Sequence, residues 1–159
     1  MHRELVDAEN HFLFKRENEF KIQSSKFRIE MSSIKKFEEL EIWKLAREIC
    51  QEVYLIRERS NLKTDFRLFE QLNGSSGSIM DNIAEGFERN GNKEFAQFLS
   101  IAKASCGETR SQLYRVLDRN YISKEEFDLQ YEKLITLGKQ IGGFRAYLQQ
   151  SDLKGSKFK

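Results

Sequence analysis

The sequence contains no proline in 159 residues, and so lacks the residue that most reliably interrupts a helix. Histidine and cysteine are scarce. There are two of each, and both histidines, His2 and His11, fall in the first eleven residues. Beyond them no Glu-x-x-His di-metal site, no His/Cys zinc site and no Ser-His or Cys-His nucleophile pair can be assembled. Cys50 and Cys106 sit on apolar helical stripes, the usual place of a thiol that acts as a small hydrophobe in a reducing compartment. No apolar run is long enough to cross a bilayer and no apolar stretch of the secretory type opens the chain, so a cytoplasmic protein without membrane contact is expected. A GxxxxGK[ST] motif is missing too, and NGSSGS at 73–78 has no lysine after it to reach a phosphate. Net charge is small: 27 Lys and Arg against 25 Asp and Glu leave +2, so a polyanion must find a local patch rather than the field of the whole chain.

What is present is helical periodicity. A chain that is 39% hydrophobic and 33% charged, at the length of one domain, predicts an all-α fold with a real core. The first helix is predicted over 37–56, with Leu40, Trp43, Ala46, Ile49, Cys50, Val53 and Tyr54 inside and Ile42 and Leu45 off the core face. The second runs from 65 to 85. Its stripe of Leu68, Leu72, Ile79, Ile83 and Phe87 keeps phase straight through NGSSGS, which propensity alone would make a loop. Gly86 is placed as a left-handed C-cap, and Gly91-Asn92 as the turn and N-cap that follow. The third helix spans 93–118 on Phe95, Phe98, Leu99, Ala102, Cys106, Thr109, Leu113, Val116 and Leu117. Ser123-Lys124-Glu125-Glu126 is a capping box for the fourth, whose predicted inner stripe is Phe127, Tyr131, Leu134, Ile135, Ile141, Phe144 and Leu148. Short links between long helices predict an antiparallel up-down-up-down four-helix bundle.

The flanks differ from this pattern. Residues 1–30 alternate with period two in places and carry six basic and six acidic side chains, so they form either a flexible arm or sequence upstream of a true start at Met31. The bundle is assigned to 31–150, and 151–159 to a polar, frayed tail.

The residues around the second and third helices carry a resemblance. Gln71 with Ser78-Ile79, the run Asn82-Ile83-Ala84-Glu85-Gly86, Lys93-Glu94-Phe95 with Phe98-Leu99, and Ala102 through Ala104-Ser105 with Glu108 and Gln112-Leu113 are similar to the four-helix-bundle family encoded in intervening sequences of bacterial 23S rRNA genes. Phe37-Glu38-Glu39-Leu40 with Trp43, Ala46 and Tyr54 fits that family's first helix, and the match covers residues 35 to 150. The Asn73-Gly74 pair departs from it, where small or basic residues are usual. The resemblance implies a small non-enzymatic bacterial protein that forms a ring-like homo-oligomer, a pentamer in relatives. It also implies a role like that of similar bundles that bind nucleic acid and a reverse transcriptase.

Two polar groupings are candidates for function. Asp81, Asn82, Glu85, Arg89, Lys93 and Glu108 surround the corner between the second and third helices. Paired carboxylates suit acid–base work, but a structural corner in which Asn82 and Glu85 bond backbone groups around Gly86, with Glu108 beside them, is the plainer reading. Basic side chains are the second grouping. Lys103 and Arg110 share one flank of the third helix, Arg115 and Arg119 the opposite flank, and Arg57, Arg59, Lys63 and Arg67 gather near one end, where all eight are positioned for phosphate contact or for ordinary solvation. No cofactor is expected. The first expectation is an oligomeric RNA- or DNA-binding scaffold and the second a protein-interaction adaptor. A ring is expected to use Ile42 and Leu45, the pairs Leu68-Phe69 and Ile79-Met80, and the small residues Ser75, Ser76 and Gly77 as a second buried surface.

Overall fold

The computed structural model describes residues 34–89 and 91–153, with the side chains of 152 and 153 excepted. The expectations for residues 1–30 lie outside the described residues. A short 3-10 turn at Phe37–Glu39 leads into α1 (Glu41–Arg59), and a second at Asn61–Thr64 connects it to α2 (Phe66–Glu88). Two further helices, α3 (Asn92–Asp118) and α4 (Lys124–Leu153), complete an all-α fold with no strand among the described residues. The last helix therefore runs beyond the boundary drawn at 150.

Each helix end has a local cause. Ser60 donates to the Ile56 carbonyl at 2.6 Å and accepts from the Leu62 N–H at 3.2 Å, which stops α1 and starts the next turn. Asp65 caps α2 by accepting the Leu68 N–H. Asn120 takes φ 55° after α3, while the Tyr121 and Asn120 N–H groups return to the Val116 and Leu117 carbonyls at 3.0 and 2.8 Å. That is a Schellman ending with asparagine in the left-handed position that it tolerates better than most residues. The predicted capping box is present: the Glu126 N–H reaches Ser123 Oγ at 3.2 Å and the Ser123 N–H reaches Glu126 Oε2 at 2.9 Å.

Residues 73–78 are helical, as the unbroken apolar phase predicts. Leu72, Ile79 and Ile83 are fully buried, with Ser75 and Ser76 buried between them and Ser75 bonded to Thr109 of α3. The first helix is rotated from its predicted setting by about one residue. Ile42, Ala46, Ile49, Val53 and Ile56 form its inner stripe, whereas Trp43 and Cys50 lie at the margin and Tyr54 is exposed. Both settings share Ala46, Ile49 and Val53; burying two more isoleucines removes more apolar surface than burying a tyrosine whose hydroxyl then needs a partner. Trp43 instead meets the edge of Phe37 at 5.1 Å, and Arg47 lies 5.9 Å from its ring centre. On α4, Leu137 belongs to the buried stripe, while Tyr131 and Ile135 flank it.

Of the residues assigned above to a second surface, all but Gly77, whose Cβ position is open, lie against the core of their own chain. Ile42, Leu68, Ile79, Ser75 and Ser76 are buried, and Leu45, Phe69 and Met80 pack on the core from its edge. Contacts descend one helix as they ascend the next: Ser75 with Thr109, Ser78 with Ser105, Phe95 with Phe144, Tyr114 with Phe127, Arg59 with Glu126. This order is compatible with the expected up-down-up-down arrangement. No described helix is long and apolar enough to cross a membrane.

Candidate functional site

Gly86 is not a cap. The backbone stays helical through it to Glu88, and Gly86 is buried. A Cβ there would stand 2.7 Å from both Phe95 Cδ2 and Phe98 Cβ. Glycine is needed because α3 crosses against the α2 backbone at this point, a requirement of close approach and not of backbone conformation. The helix ends only at Arg89, its C-cap. Gly91, not Asn92, is the N-cap of α3, with its carbonyl accepting the Phe95 N–H at 2.9 Å.

Of the polar residues predicted for the corner, Glu85 and Arg89 stay there as a pair, while Asn82 turns to the seam and Glu108 lies far along α3. Asn82 donates to the Ser78 carbonyl at 2.7 Å and to Ser78 Oγ at 3.0 Å, and Ser78 Oγ in turn lies 3.0 Å from Ser105 Oγ on α3. One turn further, Thr109 Oγ1 sits 2.8 Å from the Ser105 carbonyl and 2.9 Å from Ser75 Oγ, which also bonds Gln112 Oε1. The α2–α3 seam is thus a ladder of small hydroxyls. Each hydroxyl has a carbonyl, amide or hydroxyl partner, and the described rungs hold register between the helices. Glu85 pairs with Arg89 along its own helix at 2.8 Å. Glu108 is exposed and lies roughly 20 Å along α3 from Phe95 at 1.5 Å per residue, so it has no part in the corner. Among the described residues no group of three or more His, Cys, Asp or Glu side chains is placed to hold a metal ion.

The eight basic candidates divide by what stands beside them. Arg57 is bonded to Glu58 and stacks 5.0 Å from the centre of the Phe69 ring. Arg59 reaches Glu126 at 3.0 Å and Glu52 at 3.6 Å, and Arg119 pairs with Asp65. Those three are neutralised within the chain. Lys63 and Arg67 are exposed, and Arg115 is partly buried; none of the three has a carboxylate partner among the described residues. Lys103 and Arg110 are brought together, as their shared flank predicts, at a cavity of about 200 Å³ between α3 and α4.

A third cation, Lys139 of α4, completes that cavity, and the sequence reading missed it. It follows Gly138, whose missing side chain leaves the space open, but only the packing of α4 on α3 brings it beside Lys103 and Arg110. The floor is apolar, formed by Cys106, Leu134, Ile135 and Gly138. No carboxylate lines the cavity. Arg110 lies 5.9 Å from the centre of the Tyr131 ring, which limits where its guanidinium can move. Burial pushes the Cys106 thiol up to about 12, although Arg110 and Lys103 nearby pull it down. The thiol is therefore neutral and packs as a hydrophobe, which makes it a poor nucleophile.

Beyond the cavity, the surface exposes Tyr54, Leu55, Phe66, Ile101, Tyr114 and Leu129. All but Ile101 lie toward the end of the bundle where Asp65 meets Arg119 and Tyr121.

A search of curated proteins finds no match. Among solved structures, one similar fold is a protein of unknown function from the S23 ribosomal protein family of Bacteroides thetaiotaomicron, 21% identical, with a TM-score of 0.61 over 66% of this chain and 95% of that one. The likeness supports the fold. The model of the 23S rRNA-intervening sequence protein family matches residues 38–143, from the turn before α1 to within α4, and on that match this chain belongs to the 23S rRNA-intervening sequence protein family.

Proposed function

We propose that this protein is a non-enzymatic, cytoplasmic scaffold: an up-down-up-down bundle that assembles into a homo-oligomeric ring, a pentamer, and binds RNA or DNA through the phosphate backbone. The supporting observation is the set of cations on α3 and α4. Lys103, Arg110 and Lys139 line one cavity with no carboxylate among the lining side chains, whereas Arg57, Arg59, Arg89 and Arg119 are each paired with an acid. Side chains left with uncompensated charge suit phosphates, which need position and charge and no base-specific geometry. Repetition around a ring multiplies a weak contact from each subunit into a strong one. The surface for the ring is the exposed apolar set on α1 and α4, chiefly Tyr54, Leu55 and Leu129, in place of the residues that the sequence suggested.

A protein-interaction adaptor, with a reverse transcriptase as one partner, is the second reading. The same exposed apolar residues favour it. Binding of a labelled single-stranded RNA followed across a salt series separates the two. Phosphate engagement gives a log–log slope of about −0.7 per neutralised phosphate, and Lys103→Glu with Arg110→Glu flattens that slope. Salt-independent binding of protein partners, with no RNA bound at low salt, supports the adaptor. Light scattering that returns the 18.8 kDa of one chain at micromolar concentration overturns the ring.

A further inference from the structure

The α3–α4 cavity has a feature that backbone binding does not use. A phosphate backbone needs cations, and those stand at the rim. It has no need of an apolar floor sunk between two helices. That floor is made by Cys106, Leu134, Ile135 and Gly138, and Leu134 and Cys106 are almost completely buried beneath it. The space of about 200 Å³ is open to solvent on one side and large enough for a single ring to lie on the floor.

We propose that this cavity binds a small phosphate monoester, whose single ring or branched apolar group lies on Cys106, Leu134, Ile135 and Gly138 while its phosphate meets Lys103, Arg110 and Lys139. Three cations with no lining acid suit a group that carries about −1.5 to −2 charges at neutral pH better than they suit a carboxylate. Lys103 and Arg110 stand two turns apart on one face of α3, about 10 Å along its axis, and Lys139 reaches the cavity from α4, so cations line it from both helices. Lys103 also lies along α4, with Nζ 3.2 Å from where a Cβ on Gly142 would be. The neutral thiol of Cys106 makes this a binding site without a covalent step. It shares Lys103 and Arg110 with the nucleic-acid reading but depends on the floor, which that reading does not.

Gly138→Leu separates the two. A Cβ added at Gly138 meets nothing within 4 Å, the rest of the leucine extends into the cavity, and leucine favours a helix over glycine, so the variant is expected to keep its fold and all three cations. Isothermal titration and amide chemical shifts on α3 and α4 are measured with phenyl phosphate and with inorganic phosphate. The expected result is that phenyl phosphate binds on the order of tenfold more tightly than inorganic phosphate, from burial of its ring. Gly138→Leu is expected to erase that advantage with circular dichroism unchanged, and Lys139→Gln to weaken both ligands. Competition by a 5′-phosphorylated oligothymidylate but not its 5′-hydroxyl form assigns the ligand to a strand end; competition by neither assigns it to a free monoester. Equal affinity for the two phosphates, or a phenyl phosphate advantage that survives Gly138→Leu, overturns the proposal. RNA binding that persists in Gly138→Leu leaves the scaffold reading intact whichever way the cavity test falls.

Discussion

The two ends of the bundle are held by different physics. At the corner end, α2 and α3 cross in contact at Gly86, and Phe87, Phe95 and Phe144 meet edge to face with centroids 6.0 and 5.2 Å apart. At the link end, Asp65 gathers the Leu68 N–H, the Arg119 guanidinium and the Tyr121 hydroxyl, and Arg59 reaches across to Glu126. One end is closed by shape, the other tied by charge and hydrogen bonds. Shape tolerates no added atom and is indifferent to salt. Exposed ion pairs tolerate substitution, contribute about 0–1 kcal/mol each and weaken in salt. The exposed apolar residues lie chiefly at the link end.

The largest effect is expected at the corner. Gly86→Ala places a methyl group 2.7 Å from Phe98 Cβ, which moves only with the α3 backbone, so overpacking outweighs the better helix propensity and costs about 1–3 kcal/mol. Chemical denaturation at low and high salt checks this, and the loss should be equal in both. A gain in stability would show that α3 can step back from α2 without cost.

A smaller loss, dependent on pH, is expected from Asp65→Asn. Partial burial pushes the Asp65 carboxyl up, but the bonds from Arg119 and the Leu68 N–H, the charge of Arg119 and the bond from Tyr121 together hold it below its ordinary 3.8. Glu126 is likewise held below 4.5, chiefly by the Ser123 N–H with Arg59 adding to it. A depressed folded value means that the unfolded chain takes up the proton first as the pH falls. The stabilisation is therefore complete above the unfolded values and is lost from about pH 4.5 downward. Thermal midpoints measured from pH 7 to pH 3 should show the gap between wild type and Asp65→Asn closing with acid, while the Gly86→Ala gap stays open.

The smallest effect has the opposite sign. Gly74 lies in the same helix as Gly86 with nothing within 4 Å of its Cβ position, so Gly74→Ala should stabilise by about 0.5–1 kcal/mol through helix propensity alone. Measured beside Gly86→Ala, it separates contact from propensity within one helix.

Much of this was legible in the chain. The helix through NGSSGS, the capping box at Ser123 and the extent of α3 follow from local rules acting over a few residues, and such rules are carried by neighbours in sequence. The flank shared by Lys103 and Arg110 was legible for the same reason. Lys139 was not, because its nearness to them depends on how α4 lies against α3. The pairing of Arg59 with Glu126 and of Arg119 with Asp65 was hidden likewise, so five of the eight basic candidates kept the free charge assigned to all of them.

By itself the sequence determined an all-α chain of four long helices and placed most of their ends. The absence of proline, the apolar phase and the caps are local, and each constrains backbone within a turn or two. Tertiary structure alone decided which of two apolar settings α1 buries, why residue 86 is glycine, and which cations remain unpaired around a cavity. Those outcomes depend on distances between helices far apart in sequence, and a helix with apolar residues on two faces does not specify which face its neighbours will cover.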